Sequence, residues 1–399
     1  MCGDSSYWSA SHANRASFNP LFRVLSCFSW TRVVFALAAL TFAAWGGAAR
    51  AQGGPPYYEE DVAASNPLRA EQARELDAYI NAQKADSARL KALFTPDYRS
   101  PKAFEASARR LRQAFAASIG YPPPGAPDSE PPEFKQIGDD GIGTYYRVRI
   151  SVLPGVHAEG IYIVPKGLKG RAPLIVAMHG GGGSPEVALF HGGANYHDMV
   201  RGGAKRGYVV FAPQHLFSAP GYPADVRNRT DDRMRLIGTS LTAVEIAKIT
   251  RSLDVLLKRP EIDPKRVAMV GLSYGGYYAL VTPALDTRIR CAVSSCYFGV
   301  QEYRYERNEL GVPSDFRFAD RFTLLRDPEI VALICPRALE IQAGSRDDAE
   351  HRDMGVQLAP KAAEYYRALG RGDDFRFVLF QGGHEFDDAS AWEFVEKHL

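Results

Sequence analysis

A serine stands between two glycines at Gly271-Leu272-Ser273-Tyr274-Gly275. A serine hydroxyl attacks a carbonyl only when a base removes its proton, and the base needs a carboxylate to orient it. The oxygen of the attacked carbonyl needs N–H donors when it becomes negative. Each of these parts has a candidate in the chain. His384, in Gln381-Gly382-Gly383-His384-Glu385-Phe386, is the candidate base. Asp347, in Gly344-Ser345-Arg346-Asp347-Asp348, is the candidate acid, with Asp348 as the alternative. The run His179-Gly180-Gly181-Gly182-Gly183 can offer backbone N–H groups with no Cβ in the way. With the N–H of Tyr274, those of Gly181 and Gly182 would form an oxyanion hole. The catalytic candidates are thus Ser273, Asp347 and His384.

These residues must be positioned by strands and helices. Val267 to Val270 reads as a buried strand and Tyr277 to Val281 as the start of a helix, so Ser273 falls on a strand–turn–helix joint. Further strands are predicted at Thr144–Val152, Ala158–Val164, Pro173–Met178, Tyr208–Ala212, Ile289–Ser294, Arg337–Gln342 and Phe375–Phe380. Helices are predicted near Asn195–Arg206, Thr239–Lys258, Gln357–Leu369 and Ala389–His398. Two or three antiparallel strands followed by β-α units predict an α/β fold, with a mostly parallel central sheet and helices on both faces. The acid and base candidates each follow a late strand, where ligands bind in such sheets.

Before this region the chain reads as helical. One stretch runs from Asn66-Pro67 to about Phe94. Another starts at Ser100-Pro101, an N-cap and N1 pair, and runs to about Ile119, where Pro122-Pro123-Pro124 ends it. Ahead of both, the apolar run Val33 to Ala44, basic residues before it and Ala49-Arg50-Ala51 after it predict a signal peptide. The expected organisation is therefore a signal peptide over 1–51, a linker and helical N-terminal extension over 52–130, and a catalytic domain over 131–399.

The chain of 399 residues has a net charge of +2. Without residues 1–51 it keeps 44 basic and 45 acidic residues, a charge of −1. That balance excludes an electrostatically driven nucleic-acid binder. Cys291, Cys296 and Cys335 remain beyond the leader at no metal-like spacing. They read as buried thiols, with one bridge among them left open. Cys291 and Cys296, five apart along one strand, are expected to face opposite sides.

The order of glycine loop, Gly-x-Ser-x-Gly, Asp and His resembles the α/β-hydrolase superfamily over roughly residues 131–399. Gly238 to Glu245, Leu253 to Asp263 and Ala284 to Arg290 look like the dienelactone-hydrolase and acetyl-xylan-esterase-like branch. The nucleophile here is Ser273 rather than the cysteine of dienelactone hydrolases proper. The resemblance implies a secreted or periplasmic serine esterase acting on small-molecule or carbohydrate esters, acetyl and other acyl esters among them. The chain is expected to use no cofactor and no metal, and to bind no nucleic acid and no membrane after signal cleavage. Gly-x-Ser-Tyr-Gly-Gly also looks like the prolyl-oligopeptidase group, so a serine peptidase is the alternative within hydrolases. A non-catalytic binding protein on a hydrolase scaffold is the alternative outside them.

Weaker signals remain. Phe217, Tyr222 and Phe298 are candidate substrate-binding residues, and Tyr274 and Tyr303 share their loop aromatic character. His191, His197 and Asp198 lack metal spacing. Arg227, Arg229, Arg233 and Arg235 read as a solvated loop, with an acidic or sugar substrate site as the sharper alternative.

Overall fold

The computed structural model describes residues 58, 60–84, 88–190, 195–217, 219–310 and 314–399. The signal-peptide reading and His191 lie outside them. By contacts the chain divides into one unit over Met1–Arg74 and another over Glu75–Leu399. In the first, a 3-10 turn at Val62–Ser65 is capped by Asp61, whose carboxylate accepts the Ala63 N–H.

Nine strands form one sheet: β1 Glu133–Asp139, β2 Gly143–Leu153, β3 Val156–Pro165, β4 Ala172–Met178, β5 Val209–Pro213, β6 Ile262–Leu272, β7 Cys291–Ser295, β8 Ala338–Gly344 and β9 Phe375–Phe380. Their order is β1-β2-β3-β5-β4-β6-β7-β8-β9. β1, β2, β3 and β5 pair antiparallel in turn. From β5 onward every pairing is parallel. β1 is a strand that the apolar pattern missed. Only Phe134 and Gly138 of its seven residues are half-buried, and the rest are exposed, so it carries little apolar signal.

The parallel strands β4, β5, β7 and β8 are buried along their whole length because both faces are covered. All seven residues of β4 are buried. Leu174, Val176 and Met178 enter one core, and Ile175 and Ala177 enter the other. Each fully buried aliphatic side chain contributes about 1.5–3 kcal/mol, so this alternation locks the strand register.

The helices are α1 Asn66–Lys84, α2 Ala88–Leu93, α3 Pro101–Ser107, α4 Arg109–Ile119, α5 Pro185–Leu189, α6 Met199–Lys205, α7 Ala224–Leu236, α8 Leu241–Leu256, α9 Tyr274–Leu285, α10 Val300–Glu306, α11 Asp327–Ile334, α12 Ala349–Ala368 and α13 Asp388–His398. Ser100 caps α3 through the Ala103 N–H. The expected single helix to Ile119 is instead two, joined at Ala108. Phe104, Leu111, Phe115 and Ile119 of this pair are buried in the same core as β4 and β6.

Two expectations need correction. Arg227, Arg229, Arg233 and Arg235 are on helix α7 and not in a loop, and Arg227 is fully buried. Cys291 and Cys296 belong to one core cluster rather than to opposite faces. Strand β7 ends at Ser295, and Cys296 takes a positive φ of 55°, which breaks the alternation. Cys291, Cys296 and Cys335 are buried free thiols.

Candidate functional site

Parallel pairing carries the ends of β4, β6, β7, β8 and β9 to one edge of the sheet. Met178 pairs with Gly271, Leu272 with Ser295, Ser295 with Gln342, and Gly344 with Phe380. The glycine loop, Ser273, Cys296, Asp347 and His384 each follow one of these ends within a few residues.

The turn at Ser273 is tight enough to exclude side chains on either side of it. A Cβ on Gly271 would lie 2.2 Å from the Gly275 oxygen. One on Gly275 would lie 2.3 Å from the Met178 oxygen. Ser273 itself holds φ 58° and ψ −116°, a costly conformation for a residue with a Cβ. It is the N-cap of α9, yet its side chain caps no N–H. An N-cap serine ordinarily turns its hydroxyl back onto the helix. Here the strained backbone leaves that hydroxyl uncommitted at the positive end of the helix.

The glycine loop separates its donors. The Gly180 N–H donates to the Tyr196 hydroxyl oxygen at 2.8 Å, and the Gly183 N–H donates to the Gly180 carbonyl at 3.2 Å. Among the described residues, the N–H groups of Gly181 and Gly182 meet no acceptor. Tyr274 is the first residue of α9, where N–H groups lack intrahelical partners. Gly181, Ser273 and Tyr274 line one cavity of about 210 Å³. Phe217, Tyr297, Val300, Phe316, Arg304, His351 and Cys296 complete its wall.

Sequence reasoning overlooked what holds this loop. His179 and His215 are buried and stack with ring centroids 3.7 Å apart. His179 Nδ1 lies 2.9 Å from the Gly180 carbonyl, and the His215 ring reaches the His179 carbonyl. Burial pushes His179 down to about 4 and His215 well below its ordinary value, so both are neutral at pH 7. A histidine directly before a glycine run was visible in the sequence. Its partner, 36 residues on, was not.

His384 Nδ1 lies 2.8 Å from Asp347 Oδ2. Asp347 is almost fully buried, whereas a third of the His384 side chain is exposed. Burial pushes the Asp347 carboxyl up, but His351 and His384 outweigh it and hold the group well below the carboxylate range. Asp348 is exposed and donates its N–H to Asp347 Oδ1. His351 Nδ1 approaches the same Oδ1 at 3.4 Å, too poorly aligned for a hydrogen bond.

Among the described residues, no hydrogen bond joins the Ser273 hydroxyl to the His384 ring. Ser295 bonds both loops: its carbonyl accepts the Ser273 N–H at 2.8 Å, and its Oγ donates to the Glu385 carbonyl at 3.0 Å. Catalytic serine–histidine bonds commonly tighten only when substrate binds.

Of the candidate substrate-binding aromatics, Phe217 lines the cavity. Phe298 does not: it is buried in the core, and its neighbours Tyr297 and Val300 face the cavity instead. Tyr222 lines a different, apolar cavity of about 480 Å³ with Pro123, Leu216 and Met234. Loop residues carry no periodicity to say which way they point, so which cavity each lines is visible only in the fold.

Cys296, Asp347 and His384 place potential ligand atoms within 4.8 Å of one another, as do Asp347, Asp348 and His351. Burial raises the Cys296 thiol to about 12, so it stays protonated, and Asp347 is already committed to His384. This donor set suits proton transfer better than metal binding. His197 is held by Glu385 at 2.7 Å. No helix of the described residues is long and apolar enough to cross a membrane.

The sheet order, the strand–turn–helix at Ser273 and the loops at the strand ends give the chain an α/β-hydrolase fold. Residues 161–321 match the model of the dienelactone hydrolase family. YtaP of Bacillus subtilis (strain 168) is 26% identical over 265 residues, covering 61% of this chain and 84% of YtaP. The methylesterase BT1017 is similar in structure, with a TM-score of 0.59, 19% identity, and coverage of 79% of this chain and 68% of its own. A glucuronoyl esterase from Solibacter usitatus has a TM-score of 0.58 at 16% identity, covering 77% of this chain and 96% of its own.

Proposed function

We propose that the protein is a secreted serine hydrolase that cleaves carboxylic esters of small molecules or carbohydrates through an acyl-enzyme. One observation carries the reading: Ser273 is held in a strained conformation, with its hydroxyl uncommitted, in the same cavity as Gly181 and Tyr274.

Ser273 Oγ attacks the ester carbonyl carbon while His384 Nε2 takes its proton. Asp347, accepting from Nδ1–H, fixes the ring and stabilises the imidazolium. The N–H groups of Gly181, Gly182 and Tyr274 hold the oxyanion. Collapse breaks the C–O bond to the alcohol, which leaves with the proton from His384. A water molecule, deprotonated by His384, then attacks the acyl-enzyme. The acid is released and Ser273 regains its proton.

The small cavity with Phe217, Tyr297, Val300 and Phe316 suits a small acyl or alcohol group. The names of the structural relatives, a methylesterase and a glucuronoyl esterase, favour ester over peptide bonds. Hydrolysis of p-nitrophenyl acetate and labelling by a fluorophosphonate, in the natural chain and in Ser273→Ala, test the reading. Equal labelling and turnover in both would refute it. A panel of acetyl-xylan, uronate methyl esters, aryl esters and proline-containing peptides then identifies the substrate class. Export is tested by the N-terminus of the mature chain, expected at Gln52.

A further inference from the structure

We propose that Arg227 is a positioning residue that holds the two halves of the oxyanion hole in register. The inference rests on the oxyanion role of Gly181, Gly182 and Tyr274 proposed above.

The halves come from distant parts of the chain. Gly181 follows β4, and Tyr274 opens α9. The Phe217 ring lies between them. A Cβ on Gly181 would meet that ring at 3.3 Å. The same ring packs edge-on against Tyr274, with centroids 4.9 Å apart. The Arg227 guanidinium lies over both rings, 5.1 Å from the centroid of Phe217 and 4.9 Å from that of Tyr274. Its Nε donates to the Leu216 carbonyl at 3.2 Å, next to Phe217. Its Nη2 donates to the Tyr274 hydroxyl and to Asp315 Oδ2. The Tyr274 hydroxyl in turn donates to Asp315 Oδ2 at 3.0 Å. One planar cation therefore grips the residue before Phe217, the Phe217 ring and the side chain of Tyr274.

Stability alone explains this group poorly. The Arg227 and Asp315 side chains are fully buried. Arg227 Nη1 and Asp315 Oδ1 are left without partners. A buried ion pair with unsatisfied atoms is often no more stabilising than an apolar replacement. What apolar groups cannot supply is a flat, five-donor fork that stacks on two rings and bonds a carbonyl at once.

The test is Arg227→Lys, which keeps the buried charge opposite Asp315 but loses the planar stack. We expect a thermal melt close to that of the natural protein. On p-nitrophenyl acetate kcat should fall about tenfold, a fraction of the loss expected for a whole oxyanion donor, with KM within about twofold. Affinity for phenylboronic acid, which forms a tetrahedral adduct on the serine, should fall in parallel. A folded Arg227→Lys with natural kcat and boronate affinity would overturn the proposal. If Arg227→Lys does not fold, the charge-neutral double variant Arg227→Met/Asp315→Asn takes its place. A fall in kcat in that folded variant supports the proposal, and natural kcat refutes it. Ser273→Ala separates the two readings: activity surviving there removes the esterase mechanism itself. Loss there, with Arg227→Lys unaffected, removes only the role of Arg227.

Discussion

His384 Nδ1 and Asp347 Oδ2 are 2.8 Å apart, although 37 positions separate the two residues. One follows β9 and the other β8, neighbouring strands in parallel register. The carboxylate is buried and the imidazole partly open, so a proton on the ring has an anion behind it and an accessible edge in front.

Asp347→Asn should lower kcat on the order of 10⁴-fold, because an amide can hold the ring in the wrong tautomer. The effect on stability depends on pH. The folded Asp347 carboxyl lies below its ordinary 3.8, so its contribution is fully present above pH 3.8. It is lost as pH falls through the lower folded value. Thermal melts of the two proteins should therefore differ most at neutral pH and converge in strong acid. A gap that widens with acid would contradict the assignment of the charge.

Ser273→Ala should reduce kcat on p-nitrophenyl acetate by on the order of 10³-fold or more. Its melting temperature should hold, because the lost hydroxyl caps no N–H and alanine, which keeps the Cβ, leaves the backbone strain as it was. Calorimetry beside the activity assay reads both.

The glycines of the turn should tolerate nothing larger. Gly271→Ala places a methyl 2.2 Å from the Gly275 oxygen, and neither backbone can yield without moving β6 or α9. Denaturant titration should show a loss of about 2 kcal/mol or more. Unchanged stability would mean that the turn is looser than described.

The stacked histidines set an acid limit. The folded His179 sits at about 4 against an ordinary 6.5. Its contribution is complete above pH 6.5 and is lost as pH falls toward 4, because only the unfolded chain then takes up the proton. The full effect is about 3 kcal/mol for a group so deeply buried. Urea titrations between pH 7 and 4 should show that decline, and His179→Gln should flatten it. A variant with the same slope would place the acid sensitivity elsewhere.

Much of the fold was legible because strand and helix periods are local. The eight expected strands all appear, since buried β residues are apolar wherever the neighbouring strands come from. Ser273 announced itself through flanking glycines, and Gly271 and Gly275 meet backbone where a Cβ would stand. β1 was missed because an edge strand with one solvated face carries few apolar residues.

By itself the sequence determined the α/β architecture, the joint that bears Ser273 and the order of the candidate residues along the chain. Tertiary structure alone decided which N–H groups of the glycine run stay unpaired, through Tyr196. It also decided that Tyr222 lines another cavity, that Phe298 packs into the core, and that Arg227 is buried against Asp315, 88 positions away. The reason is physical. A residue's preference for strand, helix or turn depends on its neighbours in the chain. The burial of a charge, or the choice of partner for a polar group, depends on which distant group arrives opposite it.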